Sequence, residues 1–265
     1  MKIKTFILSL LFFNCSCSQL NHPSSKVITF EYDNKSILLQ APQGYCFYDE
    51  NKPVEKDVVK LLRAANPETE SKIYFTFQKC EEKEGFLSSQ NPLFRDTGMI
   101  DSYLPRTLKD LKRHRLETSR EVYTKFYAKY AAADTVESIN KSFIDHLLPE
   151  IKKKNPHKIM KEITSLTTEQ KAELKKVHDY AFGNEKISFL SFNINLEPGE
   201  AVYEHQEYRV GKITTKCIGA TTLINYIPLT FVICEDKTSE DWRDLDKKIR
   251  DYTKSIIKLN SDEIR

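Results

Sequence analysis

Of the six cysteines in the chain, Cys15 and Cys17 lie in the N-terminal segment discussed below. The other four, Cys46, Cys80, Cys217 and Cys234, are the residues whose chemistry the sequence specifies best. An even number of cysteines is typical of a disulfide framework in exported proteins, and four cysteines allow three pairings. A zinc site is disfavoured, because these cysteines show no C-x-x-C spacing and no histidine lies near them in sequence. We therefore predict two disulfide bonds and no metal site.

The hairpin expected towards the end of the chain selects one pairing. We place its turn at Asn225-Tyr226, because asparagine tolerates the left-handed backbone conformation that a two-residue turn requires. Counting outward from this turn pairs Cys217 with Cys234 at a non-hydrogen-bonded position, where the two backbones approach most closely. The same count puts Pro228 at such a position, where it loses no hydrogen bond within the hairpin. The first two cysteines of the chain are then left for each other.

One helical array combines residue types that could act in catalysis. Ser142, His146 and Glu150 recur at helical spacing, but Pro149 is expected to end the helix before this array is complete. An exposed helix face is therefore the favoured interpretation of these residues.

Two further histidines lie beside carboxylates in the sequence. His178-Asp179 and Glu204-His205 are adjacent pairs, so the side chains of each pair point in different directions. The nucleophile-elbow, zinc-protease, P-loop and dinucleotide-binding motifs do not occur. These observations lower the expectation of an enzyme and predict no cofactor, although a hydrolase built from dispersed residues would look the same.

Aromatic residues recur at helical spacing in the middle of the chain. Tyr123, Tyr127 and Tyr130 share one helix face, and Phe126 borders it. We interpret this stripe as facing the core, with a ligand or partner surface as the alternative.

The N-terminus has the three regions of a secretory signal peptide. Lys2 and Lys4 precede an apolar run over Phe6–Phe13, and small residues follow up to Ser18. The run is far shorter than the ~20 residues that span a bilayer. We predict that residues 1–18 are removed and that the mature protein is periplasmic, lipid-anchored or secreted.

A lipid anchor is the alternative to simple cleavage near Ser18. Bacterial lipoproteins carry a Leu-x-small-Cys box, and Cys17 has Ser16 directly before it. Asn14 stands where that box has an aliphatic residue. Contact with a membrane is expected only through such a lipid on Cys17.

The charge balance argues against a nucleic-acid partner. Removing Lys2 and Lys4 lowers the net charge from +3 to +1. The basic runs at 109–115 and 152–154 are accompanied by acidic residues, as on solvated helix faces. A protein or another envelope component is the expected partner.

The pattern of apolar residues predicts an α+β domain over residues 19–265. Its sheet-forming parts surround a charged, glycine-free helical insertion at about 103–183. Within the insertion, Thr167 and Gln170 have the spacing of a capping box. The other expected elements are a strand pair over 27–42, a helix over 53–66, a strand over 73–77, a strand over 190–196 with a bulge near 189–190, and a helix from Thr238 or Ser239 to Asn260.

Two short segments resemble known exported proteins. The run Ala41-Pro42-Gln43-Gly44-Tyr45-Cys46, followed by a helix and a strand ending in Cys80, is similar to exported α-proteobacterial proteins of unknown function. The run Thr222-Leu223-Ile224-Asn225, with Ile227-Pro228-Leu229 and a long helix, resembles the closing hairpin of PsbP-type α/β/α sandwiches. The resemblance covers about 27–80 and 187–260, and Tyr226 replaces the usual glycine. It implies an antiparallel sheet with helices on both faces, in a binding or assembly-support module.

The sequence therefore favours an exported, disulfide-stabilised protein that binds or supports something in the bacterial envelope. A secreted factor that acts on a host or neighbouring cell through its helical insertion is one alternative. An extracytoplasmic hydrolase with dispersed site residues is the other. A concave pocket with convergent histidine and carboxylates would favour the hydrolase.

Overall fold

The computed structural model describes residues 26–32, 34–65, 71–88, 96–103, 119–132, 136–142, 145, 156–182, 187–210, 213–236 and 242–261. The predicted signal peptide and Cys17 lie outside these ranges.

Nine strands and seven helices make up the described part of the chain. The strands are β1 (Ile28–Tyr32), β2 (Lys35–Leu39), β3 (Tyr45–Phe47), β4 (Ser71–Lys79), β5 (Thr97–Tyr103), β6 (Ile187–Glu197), β7 (Ala201–Val210), β8 (Ile213–Ile224) and β9 (Ile227–Asp236). The helices are α1 (Pro53–Ala65), α2 (Cys80–Leu87), α3 (Arg120–Ala131), α4 (Val136–Ser142), α5 (Pro156–Glu162), α6 (Thr168–Phe182) and α7 (Arg243–Leu259).

A seven-stranded antiparallel sheet is the centre of the fold. Its strand order is β3-β4-β5-β9-β8-β7-β6, and β1 and β2 form a separate hairpin. The predicted α+β class is confirmed. The pairing of β5 with β9 joins the strands of the N-terminal half to those of the C-terminal half.

The turn between β8 and β9 is the one that the sequence predicts. Asn225 and Tyr226 both have positive φ angles, of 48° and 63°, as a type I′ turn requires. The register continues without a bulge until Cys217 lies opposite Cys234. A disulfide bond joins these two residues.

Helix α7 packs on one face of the sheet. Its buried residues Leu245, Ile249, Tyr252 and Ile256 recur at helical spacing, which gives the helix an apolar stripe. They form one core with the hairpin β1–β2 and with strand residues such as Phe231. The described helix begins at Arg243, and the predicted starting residues lie outside the described ranges.

Helix α3 packs on the opposite face of the same sheet. Tyr123 and Tyr127 are buried against Val202 and Leu223, so the prediction of a core-facing stripe is confirmed for these two tyrosines. Phe126 differs, because 39% of it is exposed. Helices therefore cover both faces of the sheet.

A second core lies among the helices. Val58 of α1 and Phe86 of α2 pack with Ile163 and with Leu174 of α6. The predicted capping box at the start of α6 is confirmed. The backbone N–H of Thr167 donates to the side-chain oxygen of Gln170, and the backbone N–H of Gln170 donates to the side-chain oxygen of Thr167. Helices α5 and α6 thus pack on α1 and α2, which lie outside the predicted insertion. That the insertion is a separable unit stays a prediction.

Strand β6 forms one edge of the sheet. Its pairing with β7 shifts register between Phe189 and Ser191, at the predicted bulge. Leu190 and Leu196 are 39% and 37% exposed, whereas the alternating pattern predicted that both would be buried. They are more exposed because an edge strand has a neighbouring strand on one side only.

Candidate functional site

A groove of about 780 Å³ lies between the segment before β3 and helix α7. One wall is formed by residues 40–45 together with Cys80. The other is formed by five residues of α7 besides Tyr252: Asp244, Lys247, Lys248, Asp251 and Ser255. This volume is within the range of small-molecule sites in proteins.

The first wall is held by the backbone and by a disulfide bond. Gly44 has a φ of +81°, a conformation that glycine adopts without strain, and the N–H of Tyr45 donates to Pro42 O at 2.9 Å. The N–H of Cys80 donates to Gly44 O at 2.9 Å. Cys80 is also bonded to Cys46, so the loop is fixed both by hydrogen bonds and covalently.

Two residues that line the groove, Tyr45 and Lys248, contact a buried carboxylate behind it. The Tyr45 hydroxyl donates to Glu235 Oε1 at 3.1 Å, and Lys248 forms an ion pair with the same oxygen. The ammonium of Lys248 also lies 5.4 Å from the centre of the Tyr45 ring. Burial and the charge of Glu235 raise the pKa of Tyr45 well above its usual value, so this hydroxyl stays protonated and continues to donate.

The second wall presents charges of both signs. Asp244, Lys247, Asp251 and Ser255 fall three or four residues apart and so share one face of α7. The amide of Gln40 donates to Ser255 Oγ at 3.2 Å and connects the two walls. The groove therefore offers ammonium, carboxylate, amide and hydroxyl groups to a ligand, together with the aromatic rings of Tyr45 and Tyr252.

His205 lies elsewhere, against the start of α7. Its Nε2 is 2.8 Å from Asp246 Oδ1, and Arg250 Nε donates to Asp246 Oδ2 at 2.7 Å. Burial opposes ionisation of Asp246, but the hydrogen bonds from Arg250 and His205 outweigh it and lower the pKa of this carboxyl. None of these three residues lines the groove. The hydrolase alternative required a concave site in which histidine and carboxylates converge. The residues that line this groove include no histidine.

The structure separates the other predicted candidates. Glu204 and His205 point to opposite faces, as expected: His205 contacts Asp246 of α7, and Glu204 is on the same face of β7 as Val202, which packs against α3. The remaining candidates, Ser142, His146, Glu150, His178 and Asp179, have side chains outside the described part of the chain.

Both predicted disulfide bonds are present, but the groove itself was not predicted from the sequence. Cys46 pairs with Cys80, and Cys217 with Cys234. The lining residues of α7 look like an ordinary exposed helix face in the sequence, because both signs of charge alternate there. The one usable signal was the run from Ala41 to Tyr45, whose proline and glycine mark a shaped loop beside a cysteine.

No protein-family model matches this chain, and no curated protein is significantly similar to it. Among the described residues, no group of three or more histidine, cysteine, aspartate or glutamate side chains is arranged to hold a metal ion. No helix in the described ranges is long and apolar enough to cross a membrane.

Proposed function

We propose that the protein is an exported binding module of the bacterial envelope that holds its ligand in the groove between residues 40–45 and helix α7. The observation that carries this proposal is the groove itself, whose lining combines ammonium, carboxylate, amide and hydroxyl groups. A ligand with hydrogen-bonding and charged groups fits this lining better than a purely apolar one.

Export is supported by the N-terminal sequence and by the disulfide bonds. Lys2 and Lys4 followed by a short apolar run are typical of a signal peptide. Two disulfide bonds persist in an oxidising compartment and are rare in the cytosol. Cell fractionation with an acylation assay tests this part: acylated Cys17 in the membrane fraction indicates a lipoprotein, whereas a chain that begins at residue 19 indicates a periplasmic or secreted protein. Intact residues 1–18 on the folded, oxidised protein would contradict export.

A rigid binding site favours a binding role over an enzymatic one. The disulfide bond at Cys80 and the ion pair of Lys248 with the buried Glu235 fix the groove before any ligand arrives. Pre-organisation of this kind lowers the entropy that binding costs. A reacting centre would need a nucleophile beside a general base, whereas in the groove Lys248 is paired with Glu235 and the Ser255 hydroxyl accepts from the Gln40 amide.

Ligand binding is tested with a library of small polar fragments, read by amide NMR on the oxidised chain. We expect resonances of residues 40–45 and of the groove side of α7 to shift together. The variant Lys247→Glu should change which fragments bind, because Lys247 lines the groove. The matched control is Lys258→Glu, since Lys258 is an exposed lysine of the same helix outside the groove. Equal effects of both variants, or fragments that bind only elsewhere, would contradict the proposal.

A further inference from the structure

The two edges of the seven-stranded sheet differ in how far their backbone groups are covered. At one edge, β3 is only three residues long, and Lys83 Nζ donates to the carbonyl of Phe47 at 2.6 Å. The other edge is β6, which is eleven residues long. The unpaired backbone groups of a long edge strand form a template for another strand. The edge at β6 is therefore a candidate interaction surface.

The connection between β7 and β8 determines which way the backbone groups of β7 point. Val210 and Ile213 are paired and only two residues separate them, so they form a hydrogen-bonded pair, and the two pair types alternate from there along the ladder. Even-numbered residues of β7 therefore bond to β8, and odd-numbered residues bond to β6. Residues of β6 that lie opposite even-numbered residues of β7 consequently direct their own N–H and C=O groups away from the sheet.

Three residues of β6 meet this condition beyond its bulge: Phe192, Ile194 and Leu196. The same rule directs the N–H of Phe189 outward, and this N–H donates to Asn140 Oδ1 of α4 at 3.3 Å. No hydrogen bond within the described ranges reaches the outward groups of the other three residues. The edge is therefore open between the bulge and the turn into β7.

The open segment, 191–197, is complementary to itself about Ile194. When a second copy is placed antiparallel to it, with a two-fold axis at Ile194, Phe192 lies opposite Leu196 of that copy and Ile194 lies opposite Ile194. Each of these is a hydrogen-bonded pair, because both of its members direct their backbone groups outward. All outward N–H and C=O groups of the three residues then find partners across the axis.

Other symmetric registers use fewer of these groups. Displacement towards the turn brings Pro198, which has no N–H, opposite Phe192. Displacement towards the bulge brings Leu190, where the register with β7 shifts, opposite Leu196. The register centred on Ile194 is therefore the one that satisfies all three outward residues of both copies.

The side chains on one face match in this register. Phe192, Ile194 and Leu196 alternate along the strand and so share the sheet face on which Ile194 packs with the core beneath α3. Leu196 is 37% exposed, and the other two are partly buried. The pairs across the axis on this face are phenylalanine with leucine and isoleucine with isoleucine. Apolar side chains directly opposite each other stabilise a strand pair.

The polar residues of the segment match as well. Asn193 and Asn195 are exposed, and each lies opposite the other residue of the second copy, so that amide faces amide. Glu197 is the only charged residue of the segment, and it lies opposite Ser191. No like charges are therefore placed directly opposite each other, which would destabilise the pair.

We propose that two copies of this chain pair through β6, about a two-fold axis at Ile194, and so join their two sheets into one. The segment 191–197 is much shorter than the ~20–30 residues a side of a standard stable interface. The association is therefore weak and reversible, and it increases with protein concentration. Because β6 and β3 are at opposite edges of the sheet and Tyr45 of β3 lines the groove, the dimer does not depend on the function of the groove.

Sedimentation velocity on the oxidised protein tests the association. We expect the average sedimentation coefficient to rise from the monomer value towards the dimer value as the protein concentration rises. Leu196→Lys should remove this rise, because it places a charge against Phe192 of the second copy. The matched control is Val27→Lys, at an exposed apolar residue that precedes β1, outside the seven-stranded sheet. This control should leave the rise unchanged.

Amide hydrogen exchange followed by NMR locates the contact. Once about nine-tenths of the protein is dimeric, the amides of Phe192, Ile194 and Leu196 should exchange about tenfold more slowly than in the monomer, because only the monomer leaves them open. The amides of Asn193 and Asn195 bond to β7 in both states and should change little. This alternation distinguishes strand pairing from a contact made by side chains alone.

A second variant keeps the test decisive if Leu196→Lys disturbs β6. Leu196→Pro removes an outward N–H that the pairing with β7 does not use, and proline is tolerated on edge strands. It should abolish the dimer while the amide of Asn193 stays protected. A protein that is monomeric at every concentration, with the three outward amides exchanging freely, would overturn the proposal. A dimer that persists in both Leu196 variants, or one that protects only amides outside 191–197, would do the same.

Discussion

The side-chain amide of Asn260 pairs with the backbone of Leu38 as a strand residue would. Leu38 N–H donates to Asn260 Oδ1 at 2.8 Å, and Asn260 Nδ2 donates to Leu38 O at 2.9 Å. The same amide nitrogen also donates to Ile256 O at 2.8 Å. One residue at the end of α7 thus joins the hairpin β1–β2 to the helix.

We predict that Asn260→Ala lowers the free energy of unfolding by about 2–3 kcal/mol, because it leaves the partly buried N–H and C=O groups of Leu38 without their partner. Urea denaturation measures this loss, and amide exchange should show that β2 becomes less protected. Asn260→Asp keeps the oxygen acceptor but loses the N–H donor, so its free energy of unfolding should lie between those of the parent and of Asn260→Ala. The neighbouring Ser261→Ala, at an exposed residue, should change stability by less than about 0.5 kcal/mol.

The two residues of the β8–β9 turn should respond oppositely to glycine. Tyr226 has a positive φ that costs energy for a non-glycine residue, so we expect Tyr226→Gly to stabilise the protein by about 0.5–1 kcal/mol. Asn225 Nδ2 donates to Ser36 O at 2.9 Å, so Asn225→Gly should destabilise it by about 1 kcal/mol. Thermal denaturation distinguishes the two signs, and stabilisation by both changes would show that the bond to Ser36 contributes nothing.

Two strand glycines differ in the space around them. A Cβ at Gly98 would lie 2.1 Å from an atom of the Phe77 ring and 2.4 Å from Val232 O, whereas at Gly219 the nearest atoms are 3.9 Å away. Gly98→Ala should therefore cost about 2–3 kcal/mol, and Gly219→Ala should stay within about 0.5 kcal/mol of the parent. Chemical denaturation of both variants tests the comparison. A tolerated Gly98→Ala would mean that β5 and β9 can separate locally at little cost.

The disulfide bonds should contribute unequally. Replacing Cys46 and Cys80 by alanine opens a loop with a sequence separation of 34, against 17 for the other pair. The chain-entropy estimate gives losses of about 4 and about 3 kcal/mol. Only the first change should also shift the amide resonances of residues 40–45, because Cys80 lines the groove. If both changes shifted those resonances, the groove would depend on global rather than local order.

Asp246 should make stability depend on acid. Its pKa in the folded state is lowered, so the folded state binds fewer protons than the unfolded chain just below pH 4. Its contribution is therefore complete above about pH 4 and is lost as the pH falls through the folded pKa. Asp246→Asn should remove this part of the acid dependence and cost about 1–2 kcal/mol at pH 6. Unfolding curves from pH 2 to 6 measure it, and an unchanged slope would assign the acid dependence to other carboxyls.

Local signals predicted much of the fold. The turn at Asn225-Tyr226, the capping box at Thr167 and the bulge after Phe189 are each specified by a few neighbouring residues, and the structure shows all three. The hairpin register followed from the turn alone, which is why the pairing of Cys217 with Cys234 could be predicted.

Features that depend on distant segments could not be predicted in this way. Strand β5 carries Gly98 and the buried Asp101, which weaken the alternating pattern typical of a strand, and its place in the sheet comes from pairing with β4 and β9. The groove combines residues from separate parts of the chain. Lys248 looks like a surface residue in the sequence until packing brings Glu235 to it.

The pairing of β5 with β9 has a consequence for how the chain folds. One disulfide bond closes within the N-terminal half and the other within the C-terminal half, so neither crosses this pairing. Thr97 meets Cys234 only after the long intervening segment has been brought back, and neither cross-link shortens that path. Closure between distant segments is the slow part of folding for sheets. We therefore expect each half to form its own hairpins early and the joining of the halves to be the late, rate-limiting step, whether or not the protein is oxidised.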